Sequence, residues 1–343
     1  MTFRDREKKR YESTRHHFFG PEASAYGTYR GLARSFCLPN DSSHENLYKA
    51  IREEAITYFN RRAIPWHDGL DGRRLPSNHL CCSQSCCINF LFPLSSRPGL
   101  LRRVLMHIYP DIKDVLPLEG DRRAVEDQPL YIAFEWIGLK DYLGEHAGRR
   151  GARTRGANYT SADFAFRFRQ KDGKTHLVVG EWKYTENAGS ADYGTAISPT
   201  DRKPERRIAT YLPAFTRPDG FFKGYDQGLY HALFIGACYQ WLRLELLAQE
   251  METWKEMNAD VVSVLWICPE ANNEFRHKAT IPTYLKHRYP DASIFEIWRE
   301  LAGNRRFREI STERFRDILI EEAGTEGPEM EEWTTYLTSR YGW

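Results

Sequence analysis

Hydrophobic and polar positions alternate with a period of two through residues 160–184. In FAFRFR (164–169) every second residue is phenylalanine, which is the pattern of a strand with one buried face. The segment KDGK (171–174) follows, and its Asp-Gly pair is a strong signal for a tight turn. The run HLVVGEWKY (176–184) is rich in β-formers. Together these segments predict a β-hairpin.

The predicted hairpin brings charged side chains together at its open end. Glu181 and Lys183 are two residues apart on the second strand, so they point to the same face. Asp163 opens the first strand. Counting back from a turn at 172–173 places Asp163 roughly opposite Lys183 and within reach of Glu181. The pattern therefore predicts that two carboxylates and an ammonium converge on one small volume.

Two interpretations of this cluster are open from spacing alone. Most acid–lysine pairs on sheet faces are solvated ion pairs that contribute little to stability. Here, however, Val178, Val179 and Trp182 indicate a strand covered on both faces, where charges are costly unless they are paired or bound to a metal. Carboxylate oxygens suit Mg²⁺, and an adjacent ammonium can hold an attacking water or a phosphate. This chemistry is suited to phosphodiester hydrolysis.

Asp163 followed by Glu181-Trp182-Lys183 resembles the D…(D/E)-x-K signature of the PD-(D/E)XK nuclease superfamily. Position 162 carries Ala in place of the proline that gives the signature its name. Further segments resemble a family of bacterial restriction endonucleases within that superfamily. They are 77–94, 131–145, 155–166, 181–186, 237–251, 261–272 and the terminal WTTYLTSRYGW.

This resemblance implies an α/β (α+β) fold with a restriction-endonuclease-like core, in which a mixed central sheet of about four strands is flanked by helices. It implies that Asp163 and Glu181 ligate Mg²⁺, with Mn²⁺ as a substitute, and that Lys183 lies at the attacking water. Glu135 matches an upstream glutamate that is a third ligand and catalytic group in superfamily members. Glu135 interrupts an apolar run at 130–137, although a strand-end glutamate facing water is the alternative.

Other residues around the hairpin are candidates for supporting roles. Glu186 and Tyr184 follow Lys183, and Gln240 and Arg243 lie inside the long helical pattern at 226–254. We expect these four beside the metal ligands rather than as ligands themselves. A surface position is the alternative for Glu186, and a satisfied polar pair on a core helix is the alternative for Gln240 and Arg243. Two basic loops flank the hairpin and are candidates for phosphate contact. Their basic residues are Arg149, Arg150, Arg153 and Arg155 in the first and Lys203 and Arg206 in the second.

Composition restricts the classes of function. The net charge is +2 at pH 7, so nucleic-acid binding must come from local basic patches rather than from a global field. No apolar stretch is long enough to span a membrane, no secretory signal is present, and no P-loop is legible. Seven cysteines in a chain of 343 residues do not suggest a disulfide framework. We expect a cytoplasmic protein without a nucleotide cofactor.

Four of the cysteines cluster at positions 81, 82, 86 and 87. Adjacent pairs fit poorly to the ligand spacing of structural zinc sites, and free cysteine packs well as a small hydrophobe. No zinc is expected.

Periodic helical segments lie on both sides of the hairpin region. A helical pattern at 42–62 precedes it, and patterns near 291–302, 312–323 and 328–340 follow it. We expect an N-terminal helical extension at 1–75, a nuclease core at 76–275 and a C-terminal helical segment at 276–343 that packs on the core.

The sequence therefore favours a metal-dependent endonuclease that cuts DNA in restriction or phage defence and works as a homodimer, because one site cuts one strand. One alternative is a catalytically inactive nucleic-acid-binding protein on a nuclease fold. Another is a nuclease for RNA or for modified or branched DNA, because a fold does not determine a substrate.

Overall fold

The computed structural model describes residues 1–21, 25–120, 128–146, 150–156, 159–186, 204–222, 226–277, 281–302 and 306–342. The strands are β1 (Gly27–Tyr29), β2 (Leu32–Arg34), β3 (Ile112–Leu116), β4 (Glu119–Gly120), β5 (Pro129–Leu130), β6 (Ile132–Trp136), β7 (Ala162–Gln170), β8 (Thr175–Trp182), β9 (Val261–Cys268) and β10 (Phe307–Ser311). The α-helices are α1 (Phe3–Thr14), α2 (Arg52–Arg61), α3 (Ser83–Leu91), α4 (Pro98–Met106), α5 (Pro204–Phe215), α6 (Gln227–Ala232), α7 (Cys238–Thr253), α8 (Asn273–Arg276), α9 (Thr283–Arg288), α10 (Ile294–Leu301), α11 (Thr312–Ala323) and α12 (Pro328–Arg340). Short 3₁₀ helices lie at Arg15–His17, Asn40–Asn46, Lys49–Ile51, Phe92–Leu94 and Glu256–Asn258.

A mixed sheet with helices on both faces forms the centre of the fold, as predicted. Its order is β10-β9-β8-β7-β3, and β6 also pairs with β7. The pairs of β7 with β8, β3 and β6 are antiparallel, whereas β8–β9 and β9–β10 are parallel. The described sheet has six strands rather than about four, because β3 and β6 share one edge of β7 and β10 extends the sheet beyond β9.

The two faces of the β7–β8 hairpin are buried in two different clusters. Phe164, Phe166 and Val178 face a cluster that also contains side chains from α1, α3, α4, α11 and α12. Leu177 and Val179 face a second cluster with side chains from α5, α6, α7, α9 and α10. Every residue of β8 is buried, so the predicted strand covered on both faces is confirmed.

Some helix boundaries differ from the sequence prediction. The pattern at 226–254 forms two helices, α6 and α7, with Gly236 at a positive φ of 57° between them. The pattern at 42–62 forms α2 only over Arg52–Arg61, preceded by two 3₁₀ segments. The division at residues 75 and 275 stays a prediction.

A buried polar hub joins the N-terminal region to helix α12. The guanidinium of Arg340 is fully buried and donates hydrogen bonds to the backbone carbonyl of Asn46, at 2.7 Å, and to its side-chain oxygen. Asn89 donates to the same carbonyl at 3.0 Å and to the hydroxyl of Tyr341 at 2.9 Å. A buried cation stays charged only when such acceptors replace its water, so these contacts fix helix α12 against the first cluster.

Gly180 tests the packing of the hairpin, because the ring of Phe164 lies directly over it. A Cβ at position 180 would fall 2.0–2.4 Å from three ring atoms of Phe164. We expect Gly180→Ala to lower the free energy of unfolding by about 1–3 kcal/mol, since the ring must leave its place in a packed core. Urea unfolding measures this change.

Gly99→Ala is the matched control, because the space around Gly99 is open on helix α4. It should leave stability unchanged or raise it by up to about 1 kcal/mol. A Gly180→Ala variant as stable as the wild type would contradict the packing described here.

Candidate active site

Asp163 and Glu181 lie opposite each other at the end of the β7–β8 hairpin. Phe164 pairs with Gly180, so the next pair outward joins Asp163 to Glu181 rather than to Lys183. The predicted register was wrong because the turn contains three residues: Gln170 N–H donates to the carbonyl of Lys174 at 2.8 Å, and Gly173 adopts a φ of +88°. The predicted convergence of the two carboxylates is present.

Lys183 follows β8 directly and is held at the same place by two neighbours. Its ammonium lies 2.7 Å from Oε1 of Glu181, and its backbone N–H donates to the carbonyl of Ile267 on β9 at 2.8 Å. The ammonium also lies 5.8 Å from the ring centroid of Trp266. Both members of this ion pair are buried, so the pair is not the solvated surface contact that spacing alone left open.

Glu135 enters the site from β6, on the other side of β7. Its Oε1 accepts a hydrogen bond from Gln84 at 2.7 Å, and its Oε2 accepts one from Ser161 at 3.1 Å. The backbone of Glu135 has a φ of +51° inside a strand, a conformation that is unfavourable for residues other than glycine. Such a strained conformation persists only where surrounding contacts hold it. It directs the Glu135 side chain toward the cavity described next.

A cavity of about 550 Å³ lies over these groups. Glu135, Asp163, Glu181 and Lys183 form part of its wall, so all four predicted catalytic residues face one space. The other lining residues are Pro65, His67, Ser83, Gln84, Gly156, Tyr159, Thr160, Ser161, Trp182, Glu186, Gln240, Arg243 and Leu244.

Burial raises the pKa of all three carboxyl groups. The pKa of Asp163 lies well above its ordinary value, because burial is reinforced by the charges of Glu181 and Glu135. Burial raises the pKa of Glu135 to about 7 despite its hydrogen bonds from Gln84 and Ser161. Burial also raises the pKa of Glu181, although the Lys183 ammonium opposes this shift. One ammonium does not balance three carboxylates, so a further bound cation would lower these raised pKa values.

Helix α7 supplies two polar side chains above the cluster. Gln240 donates a hydrogen bond from Nε2 to Oε1 of Glu181. Arg243 donates from Nε to Thr160 Oγ1 at 2.9 Å and lies 3.5 Å from Glu145. Gln240 therefore contacts a predicted metal ligand directly. Arg243 contacts Thr160 and Glu145 instead, neither of which is a predicted ligand.

The two candidates after Lys183 have different positions. Glu186 lines the cavity, where it accepts hydrogen bonds from the Ser83 hydroxyl and from the Tyr184 backbone N–H. The hydroxyl of Tyr184 instead donates to Glu7 on helix α1, on the opposite face of the sheet. Tyr184 therefore reaches the site through its backbone alone.

Those residues predicted to contact phosphate that the structure describes do not line the cavity. Arg153 donates to the carbonyls of Ile137 and Gly138 at 3.2 and 2.7 Å. Arg155 pairs with Glu119 and lies 4.5 Å from the ring of Trp136. Both guanidiniums are therefore engaged by acceptors and rings of the protein itself.

The remaining basic candidates divide between described and undescribed parts of the chain. Arg150 is exposed. Arg206 lies in helix α5 rather than in a loop, because Pro204 begins that helix. Arg149 and Lys203 lie outside the described residues. Phosphate contact by all six residues stays a prediction.

Sequence reasoning missed three residues that support Glu135. Gln84 and Ser161 donate to its carboxylate, and Gly156, with a φ of +65°, leaves so little room that an added Cβ would lie 3.2 Å from Oε2. Gln84 lies 51 residues before Glu135 in the chain. No spacing rule links these positions, because the contacts arise from the approach of α3 and a loop to β6.

The carboxylates suit a hard divalent cation. Mg²⁺ takes one or two carboxylates and keeps several waters, so the facing pair of Asp163 and Glu181 is a sufficient protein contribution, with Glu135 next to it. Among the described residues, the triad whose ligand atoms all lie within 4.8 Å of one another is His107, Glu321 and Glu322, far along the chain from the hairpin. Glu322 already pairs with His107 and Arg103 there, which is typical of a surface ion-pair network.

Three of the four clustered cysteines belong to the hydrophobic core. Cys81, Cys86 and Cys87 are buried free thiols, and burial raises the pKa of each. Their side chains belong to the first hydrophobic cluster, where a protonated thiol packs as an apolar group.

The raised pKa of Glu135 predicts a pH dependence of stability. Its pKa is about 7 in the folded chain against an ordinary value of 4.5, so its stabilising share is complete below about pH 4.5 and is lost as pH rises through about 7. In EDTA, Glu135→Gln should therefore exceed the wild type in free energy of unfolding by about 1–3 kcal/mol at pH 8. The two proteins should converge near pH 4.5. Chemical unfolding across this range measures the difference.

Glu54→Gln, an exposed change on helix α2, serves as the control and should follow the wild-type curve. A constant offset between Glu135→Gln and the wild type at every pH would show that Glu135 carries no shifted proton.

Comparison with known proteins bears on the family of the chain rather than on individual site residues. Searches of curated proteins and of solved structures each found no significant match. Among the described residues, no helix is both long and apolar enough to cross a membrane. The family described as "Restriction Endonuclease associating with ARP" matches residues 6–342, which is nearly the whole chain. The chain therefore belongs to this restriction endonuclease family.

Proposed function

We propose that this chain is a metal-dependent endonuclease that hydrolyses phosphodiester bonds of DNA, in restriction or phage defence. The observation that carries the proposal is the convergence of Asp163, Glu181, Glu135 and Lys183 on one cavity. Three buried carboxylates with one ammonium are costly in an empty protein, and a bound cation with a phosphate would offset that cost. Family membership supports a nuclease role.

Asp163 and Glu181 would hold the metal, with Glu135 as a third acid group. A bound Mg²⁺ would polarise the scissile phosphate and lower the pKa of a water molecule. Gln240 donates to Glu181 and Gln84 donates to Glu135, so each of these carboxylates keeps an oriented position. The Trp182 backbone N–H donates to Oδ2 of Asp163 at 2.7 Å and orients it in the same way.

Lys183 would hold the attacking water or the phosphate. Its ammonium lies 2.7 Å from Oε1 of Glu181 and belongs to the cavity wall, where it would be placed to donate to a water or a phosphate oxygen. Because the pair is buried, its field is little screened by salt.

The alternatives differ in how well the site fits them. An inactive nucleic-acid-binding protein gives no reason to keep all four groups around one cavity. A nuclease for RNA or for modified or branched DNA uses the same chemistry, so the substrate panel of the test must include these forms. A single cleft cuts one strand, which is why we propose a homodimer for double-strand cleavage, working in the cytoplasm without a nucleotide cofactor.

The test is incubation of the purified protein with supercoiled plasmid in Mg²⁺, Mn²⁺ or EDTA, on methylated and unmethylated DNA. Asp163→Ala and Lys183→Ala should each lower the cleavage rate by roughly 10²-fold or more, because each removes a group at the reacting centre. Circular dichroism should show both variants folded.

Asp172→Ala and Lys174→Ala are matched controls, because they remove the same residue types from the exposed turn of the same hairpin. Both should cleave at the wild-type rate. Cleavage that survives Asp163→Ala would overturn the site assignment, and wild-type protein that cuts RNA but no DNA form would overturn the substrate.

A further inference from the structure

A second cavity, of about 500 Å³, adjoins the candidate active site. The two share His67, Ser83 and Glu186 in their walls, so a ligand lying in one can continue into the other. Helix α1 forms one wall of this second cavity and the β1–β2 hairpin contributes to another. We call it the N-terminal groove.

Cations dominate the N-terminal groove. Arg4 and Lys8 are four residues apart on α1 and so share a helix face, while Arg30 and Arg34 come from the hairpin. The acidic residues in the wall are Asp68, which accepts a hydrogen bond from Tyr29 at 2.7 Å, and Glu186 at the border with the active site.

Three of these four cations, Lys8, Arg30 and Arg34, form no ion pair with a carboxylate of the described residues. Nε of Arg34 is buried and has no hydrogen-bond acceptor in the described chain. Lys8 and Arg30 lie over aromatic rings instead, at 4.7 Å from Phe36 and 5.2 Å from Tyr29. Such contacts hold a cation in place and leave its donors available.

The pKa of His79 reflects the same concentration of positive charge. His79 lines the groove, and burial together with the charges of Arg4 and Lys8 lowers its pKa to about 3. His79 therefore stays neutral, and its Nδ1 accepts a hydrogen bond from the Cys81 N–H at 3.1 Å. His79 therefore adds no further cation to the groove.

The hairpin presents one of these cations at its tip. Arg30 and Gly31 have φ values of +51° and +77°, the geometry of a two-residue turn matched to the twist of the strands. Nothing lies within 4 Å of the position that a Cβ on Gly31 would take, so the tip is open to a ligand.

We propose that the N-terminal groove binds the nucleic-acid backbone on one side of the scissile phosphate. Lys8, Arg30 and Arg34 contact successive phosphates, and Arg4 adds to their field. The proposal rests on the proposed function, because the groove opens into the cleft where the phosphodiester is cut. It assigns the main phosphate contacts to helix α1 and the hairpin, whereas Arg153 and Arg155 are held by internal partners.

The test is the salt dependence of binding to a fluorescent DNA duplex of about 30 base pairs, measured by anisotropy in EDTA so that no cleavage occurs. Each phosphate contact adds about 0.9 to the slope of log affinity against log salt. Lys8→Ala/Arg34→Ala should therefore reduce the magnitude of the slope by about 1.8 and weaken binding at least about tenfold near 0.15 M salt. The charge-conserving Lys8→Arg/Arg34→Lys should restore most of both.

Lys9→Ala/Lys113→Ala is the matched control. It removes two positive charges as well, from exposed positions on α1 and β3 that line neither cavity. Equal slopes in the groove variant and this control would overturn the proposal, as would wild-type protein that binds no nucleic acid. Duplex RNA and single-stranded DNA should also show a reduced slope if the groove contacts the backbone, with about 0.7 lost per contact for the single strand.

Different results would contradict the groove assignment and the proposed nuclease function. If the wild type cleaves plasmid and Asp163→Ala does not, but the groove variant binds like its control, the groove assignment alone is wrong. If the wild type cleaves no nucleic acid of any form, the proposed function is wrong, whatever the binding slopes show.

Discussion

The burial of three carboxylates beside a single lysine is the constraint around which this structure is organised. Asp163, Glu181 and Glu135 lie where β6, β7 and β8 end, with little water to solvate them. Each needs hydrogen-bond donors, and these come from a backbone N–H and from side chains on α3, on α7 and in the loop before β7. The helices on both sides of the sheet are thereby tied to one small polar volume.

The sheet makes this arrangement possible because its central strands are rigid and fully covered. The β8 strand lies between an antiparallel and a parallel neighbour, so the positions of Glu181 and Lys183 are fixed on both sides. On β6, the positive φ of Glu135 costs backbone energy. Contacts from Gln84 and Ser161 compensate this cost, which is why the site depends on distant segments as much as on the hairpin.

Local patterns were sufficient for much of this picture. The alternation of phenylalanines and the Asp-Gly turn predicted the hairpin, and the parity of Glu181 and Lys183 predicted their common face. The register was off because residue types do not distinguish a two-residue turn from a three-residue turn at KDGK. Arg206 was placed in a loop because a glycine- and serine-rich stretch precedes it, although Pro204 is also a good first residue for a helix.

What sequence could not supply were the long-range contacts. Arg153 donates to backbone carbonyls and Arg155 pairs with Glu119. No sequence pattern shows that a basic residue is hydrogen-bonded within the protein rather than available to a ligand. The N-terminal groove was missed for the same reason: its cations come from a helix and a hairpin that look like ordinary charged segments. Their proximity to residues 67, 83 and 186 exists only in three dimensions.

The hub formed by Asn46 and Arg340 has a consequence for the timing of folding. Its hydrogen bonds join residues 294 positions apart, and contacts of such separation form late because a long chain must close before they are made. During synthesis on the ribosome, Asn46 emerges long before Arg340 exists, so the first hydrophobic cluster cannot be completed until helix α12 has been made. A growing chain of this protein therefore carries Asp163, Glu181 and Lys183 without the finished core that supports them until helix α12 has been made.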